Sequence, residues 1–497
     1  MNGMNSTPYP TAAPRTDLDT RALAGDLSRI VGPERVHAGV AARQRHPGDM
    51  SWLTYVHAHF GRPLACQDVA VSPTTTKEVS EVMRLASRLG VPVTPVGGAS
   101  GVQGAANANC GGILLDLRAM KQVRHLDRTS LTCTVEAGMI VRDFEDWLNG
   151  QGLSFTHYPA SAEWASVGGS VAARGSGVLS TKYGTIQDHL LSAEFVLPQG
   201  DVVQLPPIPR HGVGPDLTQL LSGSEGTLGV LTAVTVRLRL LPAHRRFAAF
   251  RFENLAQGIE AGRRIMTEGL RPSVMRLYDA RAAVKSLERA VRAGLDGETM
   301  VIMVDGHHER LVAQEAELCS EICLEPGARS LGAEVGVAWW ENRYAFYHAP
   351  HAPQLPQVWM TMDAAADYAH IQAVYDAVTR AIEGAADPRW GLTLKTHLSH
   401  WYEWGAMIYP RIVIPKGPDD LDEALALHDS IVRAATMATL DAGGVINDHH
   451  GVGLRLAPYL PQQFGAPGMS LLRRIKAAID PARVLSPGKL GLQEEPT

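Results

Sequence analysis

The sequence predicts a chain of mixed helix and strand folded into more than one domain. Three observations carry this. The 497 residues, 45% hydrophobic and 20% charged, exceed what one core usually holds. The N-terminal half switches repeatedly between helical and two-residue hydrophobic periods. The C-terminal half carries two aromatic- and histidine-rich runs, the second alternating as strand from Leu392 to Ile414.

The elements follow in order. "PTTTKEVSEVMRLASRLG" puts Val79, Val82, Met83, Ala86 and Leu89 on one helical face, with Thr75 or Thr76 as cap and Gly90 as stop. "VPVTPV", "GILLDL" (Gly112–Leu117) and "LTCTVEAG" read as strands, and "VRDFEDWLNGQG" as a helix closed by Gly150. "LLSAEFVLPQGDVVQL" reads as a hairpin about Gln199-Gly200-Asp201, and "LGVLTAVTVRLRLLP" as a long strand ending at Pro242. The opening "MNGMNSTPYPTAAPRTD" lacks the apolar stretch of a signal peptide and reads as a disordered lead.

Net charge is −5, which leaves no nucleic-acid footprint. The five cysteines are scattered (Cys66, Cys110, Cys133, Cys319, Cys323), as expected of reduced thiols in a cytoplasmic protein. Cys319 and Cys323 fall at i,i+4 and read as two buried positions on a helix face. No apolar run reaches the length of a membrane span.

Three glycine clusters stand between the strands: "PVGGASGVQGAANANCGG" (Pro95–Gly112), "HYPASAEWASVGGSVAARGSG" (His157–Gly177) and "SGSEGTLGV" (Ser222–Val230). None matches the dinucleotide fingerprint or the P-loop. Glycine after a strand lets backbone N–H groups approach an anion. Three such clusters predict one extended, diphosphate-bearing cofactor.

The order "PVGGASG", "ASAEWASVGGSVAARGSGVLSTKYGTIQDHL", "SGSEGTLGVLTAVTVRL" resembles the FAD-binding domain of the vanillyl-alcohol oxidase and p-cresol methylhydroxylase superfamily. "RPSVMRLYDA" and "GGVINDHHGVG" look most like its alkyl-dihydroxyacetone-phosphate synthase branch, and "IKAAIDPARVLSPGKL" resembles the ending of the wider FAD-linked oxidase group. The resemblance implies an α+β flavoprotein of two domains. An FAD domain (21–245) follows the lead (1–20), an antiparallel-sheet cap binds substrate (246–455), and the tail (456–497) returns to the FAD domain. It assigns Val96 and the loop Gly97, Gly98, Ala99, Ser100, Gly101 and Val102 to the pyrophosphate. Ser161, Ser166, Val167, Gly168, Gly169 and Ser176 line a second cofactor segment. Glu225, Gly226, Gly229 and Val230 form a third. Many members attach flavin through a histidine in the first loop, where this chain has Ala99, Ser100 and Gly101, so non-covalent FAD is expected. A covalent link from the cap remains open. Relatives imply a homodimer, a small-molecule alcohol substrate, and O₂ or another carrier as electron acceptor.

The cap supplies candidate chemistry. Trp339, Trp340, Tyr344, Phe346, Tyr347, His348, His351 and Trp359 form one run, and His397, His400, Trp401, Tyr402, Trp404, Tyr409 and Arg411 another. Tyr409 and Arg411 share a face at period two, and a buried arginine needs an anionic partner. Arg276, His397, Trp340 and Tyr344 are the expected substrate contacts. In "GGVINDHHGVG", glycines flank His449 and His450. Three roles fit this pair: a structural helix-end contact, a base or hydrogen-bond partner of substrate, and a metal ligand. Related D-2-hydroxyacid dehydrogenases read Glu-His at this turn and hold a metal, but here His449 replaces the Glu, and Trp404 stands where their second His-x6-His histidine falls. No catalytic metal is therefore expected. Against the synthase branch, His397 stands in place of an arginine and Arg411 in place of a functional tyrosine, which argues against acyl–alkyl exchange. The cap's aromatics favour a substrate with an aromatic or extended apolar part, and a small 2-hydroxy acid is the other class that fits. The expectation is an oxidoreductase, oxidase or dehydrogenase, acting on an aromatic or phenolic alcohol or a 2-hydroxy acid, in which His450, or secondarily His449, removes a hydroxyl or phenolic proton, Tyr409 hydrogen-bonds the oxyanion, and Arg411 or Arg276 holds an anionic group. A synthase-like transferase and a flavin-binding protein without turnover are the alternatives.

Overall fold

The computed structural model describes residues 18–207, 212–287, 295–344 and 354–492. Residues 1–17 of the expected lead and the aromatic and histidine positions Phe346, Tyr347, His348 and His351 lie outside the described residues, while the last residues of the lead are ordered, Asp19 capping a helix Thr20–Val31.

The N-terminal half builds two sheets. The first joins β1 (Val36–Ala38), β2 (Val69–Val71), β3 (Val93–Val96) and β4 (Ile113–Asp116) in the order β1-β2-β4-β3, with β4 parallel to both β2 and β3. The helix Thr76–Leu89 packs Val79, Val82, Met83 and Ala86 against it. Thr75 Oγ1 accepts from Glu78 N–H at its start, and Gly90 closes it in the left-handed conformation. The second sheet contains β5 (Val123–Asp127), β6 (Thr132–Glu136), β8 (Leu190–Val196), β9 (Val202–Gln204) and β10 (Val230–Arg237), ordered β5-β6-β10-β8-β9 and antiparallel throughout. The predicted hairpin is the β8–β9 pair, with Gly200 at φ +88°. The expected long strand breaks after Arg237. Leu238 donates to Leu131 O, and Arg239–Leu240 (β11) leaves to pair with Leu153–Ser154 (β7). The helix Val141–Asn149 ends at Gly150 in right-handed geometry, and the left-handed residue is Gly152.

The second half is an eight-stranded sheet. It comprises β12 (His244–Phe252), β13 (Val274–Tyr278), β14 (Glu298–Gly306), β15 (Arg329–Ser330), β16 (Val358–Thr361), β17 (Ala364–Asp367), β18 (Thr393–Ser399) and β19 (Gly405–Ile414). The order is β15-β12-β14-β13-β18-β19-β16, with β17 also on β19. The alternating stretch from Leu392 to Ile414 is thus a strand pair, with His397 opposite Tyr409 and Lys395 opposite Arg411. On β19 the alternation runs from Ile408 to Ile414: Ile408, Pro410, Ile412 and Ile414 are buried, while Tyr409, Arg411 and Val413 are half-buried on the other face. The apolar face packs under helices that include Leu255–Thr267, Glu309–Leu324, Ile371–Ala385 and Leu421–Asp441. Cys319 and Cys323 are two of its buried helix positions. The polar face looks toward the N-terminal half. Among the described residues no helix is long and apolar enough to cross a membrane.

The last segment returns to the first sheet. Val93 N–H donates to Val484 O at 2.7 Å, and Ser486 N–H donates to Val93 O at 2.8 Å. Lys489, 1% exposed, donates to Asn107 O at 2.8 Å.

Candidate active site

One cavity of about 360 Å³ runs between the two halves. Its N-terminal wall is the three glycine clusters: the loop from Val96 to Val102, the stretch with Ser161, Ser166, Gly168, Gly169 and Ser176, and Glu225, Gly226 and Gly229. The loops touch at backbone level. A Cβ on Gly98 would sit 1.5 Å from Trp164 O, so only glycine allows this approach. Ser166 caps the helix Val167–Ala173 through Gly169 N–H. Gln103 Nε2 and Oε1, Ser176 Oγ and Thr361 Oγ1 line the cavity, yet are buried without hydrogen-bond partners. Such orphaned polar atoms mark a wall built for a polar ligand.

The opposite wall is the polar face of the cap sheet. Four neighbouring strands each present two residues at period two: Arg276 and Tyr278, Lys395 and His397, Tyr409 and Arg411, Trp359 and Thr361. His397 stacks on Tyr409 at 4.8 Å between ring centroids. Arg411 lies 5.9 Å from the Trp359 ring centroid, and its Nε is buried without a hydrogen-bond acceptor.

The turn bearing His449 and His450 follows the helix Leu421–Asp441 and docks on β17 through an Ala365–Val445 bridge. This brings it to Asp363, just before β17. Asp363 is fully buried and accepts from the N–H groups of Asp448 (3.0 Å), His449 (2.7 Å) and His450 (3.2 Å), and from Asn447 Nδ2 (3.1 Å). It also accepts from His450 Nδ1 at 2.8 Å. His449 Nδ1 lies 3.1 Å from both Asp363 Oδ2 and Asp448 Oδ2. Asp448 in turn accepts from His400 Nδ1 at 2.8 Å and Tyr402 OH at 2.7 Å. Carboxylates only accept, so each of these Nδ1 atoms carries its proton, and Nε2 is the atom left for chemistry.

Burial and charge divide the roles. Burial opposes the charge on Asp363, but the imidazoles of His450 and His449 hold its carboxyl well below the usual range. Asp448 is likewise held low against burial by His400 and His449. Burial also opposes charge on His449, yet Asp363 and Asp448 push it up to about 10. For His450, burial outweighs the pull of Asp363 and the neighbouring His449 adds to the downward shift. Burial lowers His400 and, more strongly, His397. At neutral pH the turn therefore carries one imidazolium, His449, beside one neutral imidazole, His450.

Residues 67–206 match the family model "FAD binding domain", and residues 241–490 match "FAD linked oxidases, C-terminal domain". The chain belongs to the FAD-linked oxidases. It is an FAD-dependent oxidoreductase of the vanillyl-alcohol oxidase and p-cresol methylhydroxylase superfamily. It is 28% identical over 437 residues to the mitochondrial D-lactate dehydrogenase [cytochrome] of Arabidopsis thaliana, covering 87% of this chain and 74% of that protein. It is 25% identical over 494 residues to the alkyldihydroxyacetonephosphate synthase of Trypanosoma brucei brucei, covering 94% and 80%. The structure of 4-ethylphenol oxidase from Gulosibacter chungangensis superposes with a TM-score of 0.77 at 17% identity, over 98% of this chain and 99% of that one, and shares the fold.

The glycine-lined wall fits FAD. Of the residues expected to hold it, all but two line the cavity. Val167 and Val230 do not: both side chains are fully buried in the cores beneath the loops, Val167 under the second sheet and Val230 under the first. Of the expected catalytic and substrate residues, His450, His449, Tyr409, Arg411, Arg276 and His397 meet on the cavity. Trp340 and Tyr344 do not. Arg343 stacks on both rings, at 3.7 and 4.6 Å from their centroids, with Arg245 and Arg142 on further faces, and holds them outside the cavity wall. Trp404 is 58% exposed and stacks on Tyr402, away from the cavity. Sequence reasoning missed Asp363, Asp448, Lys395, Tyr278 and Thr361. For Asp363 a signal was present: a lone carboxylate in the mostly apolar "WMTMDAAA" has to find donors when buried.

Proposed function

We propose that this oxidoreductase oxidises an alcohol carrying an anionic group, of the 2-hydroxy-acid class. One observation carries the reading: Arg276, Lys395 and Arg411 line the same cavity wall as the neutral imidazole of His450. The cations orient the substrate anion, and charge-assisted hydrogen bonds to a carboxylate make this contact specific. His450 Nε2 takes the hydroxyl proton, because Nδ1 is fixed on Asp363. The His449 imidazolium stabilises the negative charge that develops on the oxygen, and Tyr409, whose ring lies 5.4 Å from His450, adds a hydroxyl donor. FAD supplies the hydride acceptor when bound. The name of the D-lactate dehydrogenase relative agrees with this substrate class.

Stopped-flow reduction of bound FAD under anaerobic conditions tests it. 2-Hydroxy acids should bleach the flavin. Matched alcohols without the carboxylate should bind about tenfold or more weaker, the loss expected for a hydrogen bond to a charged group. Faster reduction by an uncharged aryl alcohol, or release of a fatty acid from an acylated substrate, would overturn the reading.

No metal is proposed. The clusters Asp363–His449–His450 and His400–Asp448–His449 have ligand atoms within 4.8 Å of one another. Their carboxylate oxygens, however, are taken up by imidazole, tyrosine and backbone donors. Prolonged chelation should leave turnover within about twofold, because loss of a hydroxyl-polarising metal would cost several kcal/mol of barrier. A large loss restored by zinc or manganese would show the contrary.

A further inference from the structure

The third glycine cluster holds a carboxylate, Glu225, that lines the cofactor wall and also reaches the turn bearing the two histidines. Glu225 sits at φ +50° in the loop Ser222–Val230 and is 8% exposed. It accepts from Val452 N–H at 2.5 Å and from Gly453 N–H at 3.0 and 2.9 Å. These amides belong to the turn that carries His449 and His450. A Cβ on Gly451 would come within 2.5 Å of Glu225 Oε1, so the glycine admits the carboxylate. On its other side the turn is held by Gln103 O, which accepts from Leu454 and Arg455 N–H.

We propose that Glu225 is a positioning residue: its carboxylate fixes the backbone of Val452 and Gly453, and so fixes where His449 and His450 stand on the cavity. This rests on the reading of His450 as base. Of the two clamps on the turn, the Gln103 carbonyl is always an acceptor, whereas the Glu225 carboxylate is a full acceptor only when ionised. Among the described residues Glu225 forms no ion pair. Lys489 from the C-terminal segment favours its anion, Asp49 opposes it, and the turn meets it with backbone alone. Burial, partly offset by the Gly453 and Val452 amides, raises it to about 7. The anchor is therefore firm above neutral pH and slack below it.

The test compares holoenzyme with Glu225→Gln and Glu225→Ala. Two quantities are read: hydrogen exchange of the Val452 and Gly453 amides, corrected for intrinsic rates, and flavin reduction at saturating substrate from pH 5.5 to 9. The parent should show an acid limb near pH 7, with amide protection falling over the same range. Glu225→Gln, nearly isosteric but uncharged, is compared with the parent at matched FAD occupancy, read from the flavin spectrum, and at saturating substrate. It should reduce flavin about tenfold more slowly at pH 8 and lack the limb near 7. Amide protection should fall in both variants. If the alanine variant does not hold FAD, the glutamine variant and the parent's exchange across pH decide the matter. Identical pH profiles for parent and Glu225→Gln, with unchanged protection, would overturn the proposal. Fast reduction by His450→Ala alongside lost protection in Glu225→Gln would uphold the anchor and overturn only the base.

Discussion

His449 faces two carboxylates and His450 faces one, and their ring centroids lie 4.1 Å apart. Two imidazolium ions at that distance would repel, so beyond the proton on each Nδ1 the pair holds one more, and it settles where the negative charge is greater. That leaves His450 free to accept. His450→Ala should slow flavin reduction by about 10²–10⁴-fold, with FAD content and substrate affinity near normal. Stopped-flow traces give rate and affinity separately, and an unchanged rate would make the turn structural. Asp363→Asn replaces one acceptor oxygen with a donor in a ring of donors. Its predicted cost is roughly 3–5 kcal/mol in denaturant unfolding, the range for breaking a buried charged pair. It also removes one of the two anions that raise His449. The raised His449 contributes stability that is full below its unfolded value near 6.5, declines as pH rises, and is gone at about 10. In the Asn variant that decline should end at lower pH. A melting-temperature profile from pH 6 to 10.5 checks the direction.

The loops and strands that carry these side chains differ in how openly the sequence declares them. The helix Thr76–Leu89 was legible because its cap, apolar stripe and stop all agree. The β18–β19 pair was legible because each strand buries alternate residues. The break after Arg237 was not: β-branched residues run on, and what redirects the chain is a hydrogen bond to Leu131, a hundred residues earlier. Trp340 and Tyr344 were misplaced for a related reason. Aromatic richness signals packing but not the partner, and here the partner is Arg343. The first glycine loop gives a sharp prediction. Gly98→Ala puts a methyl into the Trp164 carbonyl, a backbone group that side-chain motion cannot clear. Purified Gly98→Ala protein should hold little FAD by its visible spectrum, whereas Gly212, with open space around its Cα, should accept alanine without loss.

Taken together, the cofactor wall was readable almost residue by residue, because close backbone approach demands glycine at fixed places. The catalytic wall was readable only in part. His449 and His450 stand out between glycines, but of the carboxylates that assign their charges only Asp363 stands out, alone in a mostly apolar stretch, while Asp448 looks like an ordinary loop residue, and nothing in the sequence pairs either with its histidines. The same contrast governs attachment of the flavin. The loop from Gly97 to Gly101 offers no His, Cys or Tyr to carry the flavin. Acid precipitation should therefore leave yellow colour in the supernatant, and colour retained in the pellet would show a covalent bond.

The return of Val484–Ser486 to β3 sets an order of events during synthesis. The loop that begins at Val96 continues a strand whose outer neighbour is translated almost four hundred residues later. Until then Val93 has no partner along that edge, and the backbone carbonyl of Asn107 lacks the Lys489 ammonium it binds in the finished fold. Contacts of such long sequence separation form late, because loop closure must precede them. A nascent chain can thus complete its second sheet, and even its cap, while the first glycine loop is still unbraced. The cofactor is best captured once Val484–Lys489 has closed on that edge and braced the place prepared for it.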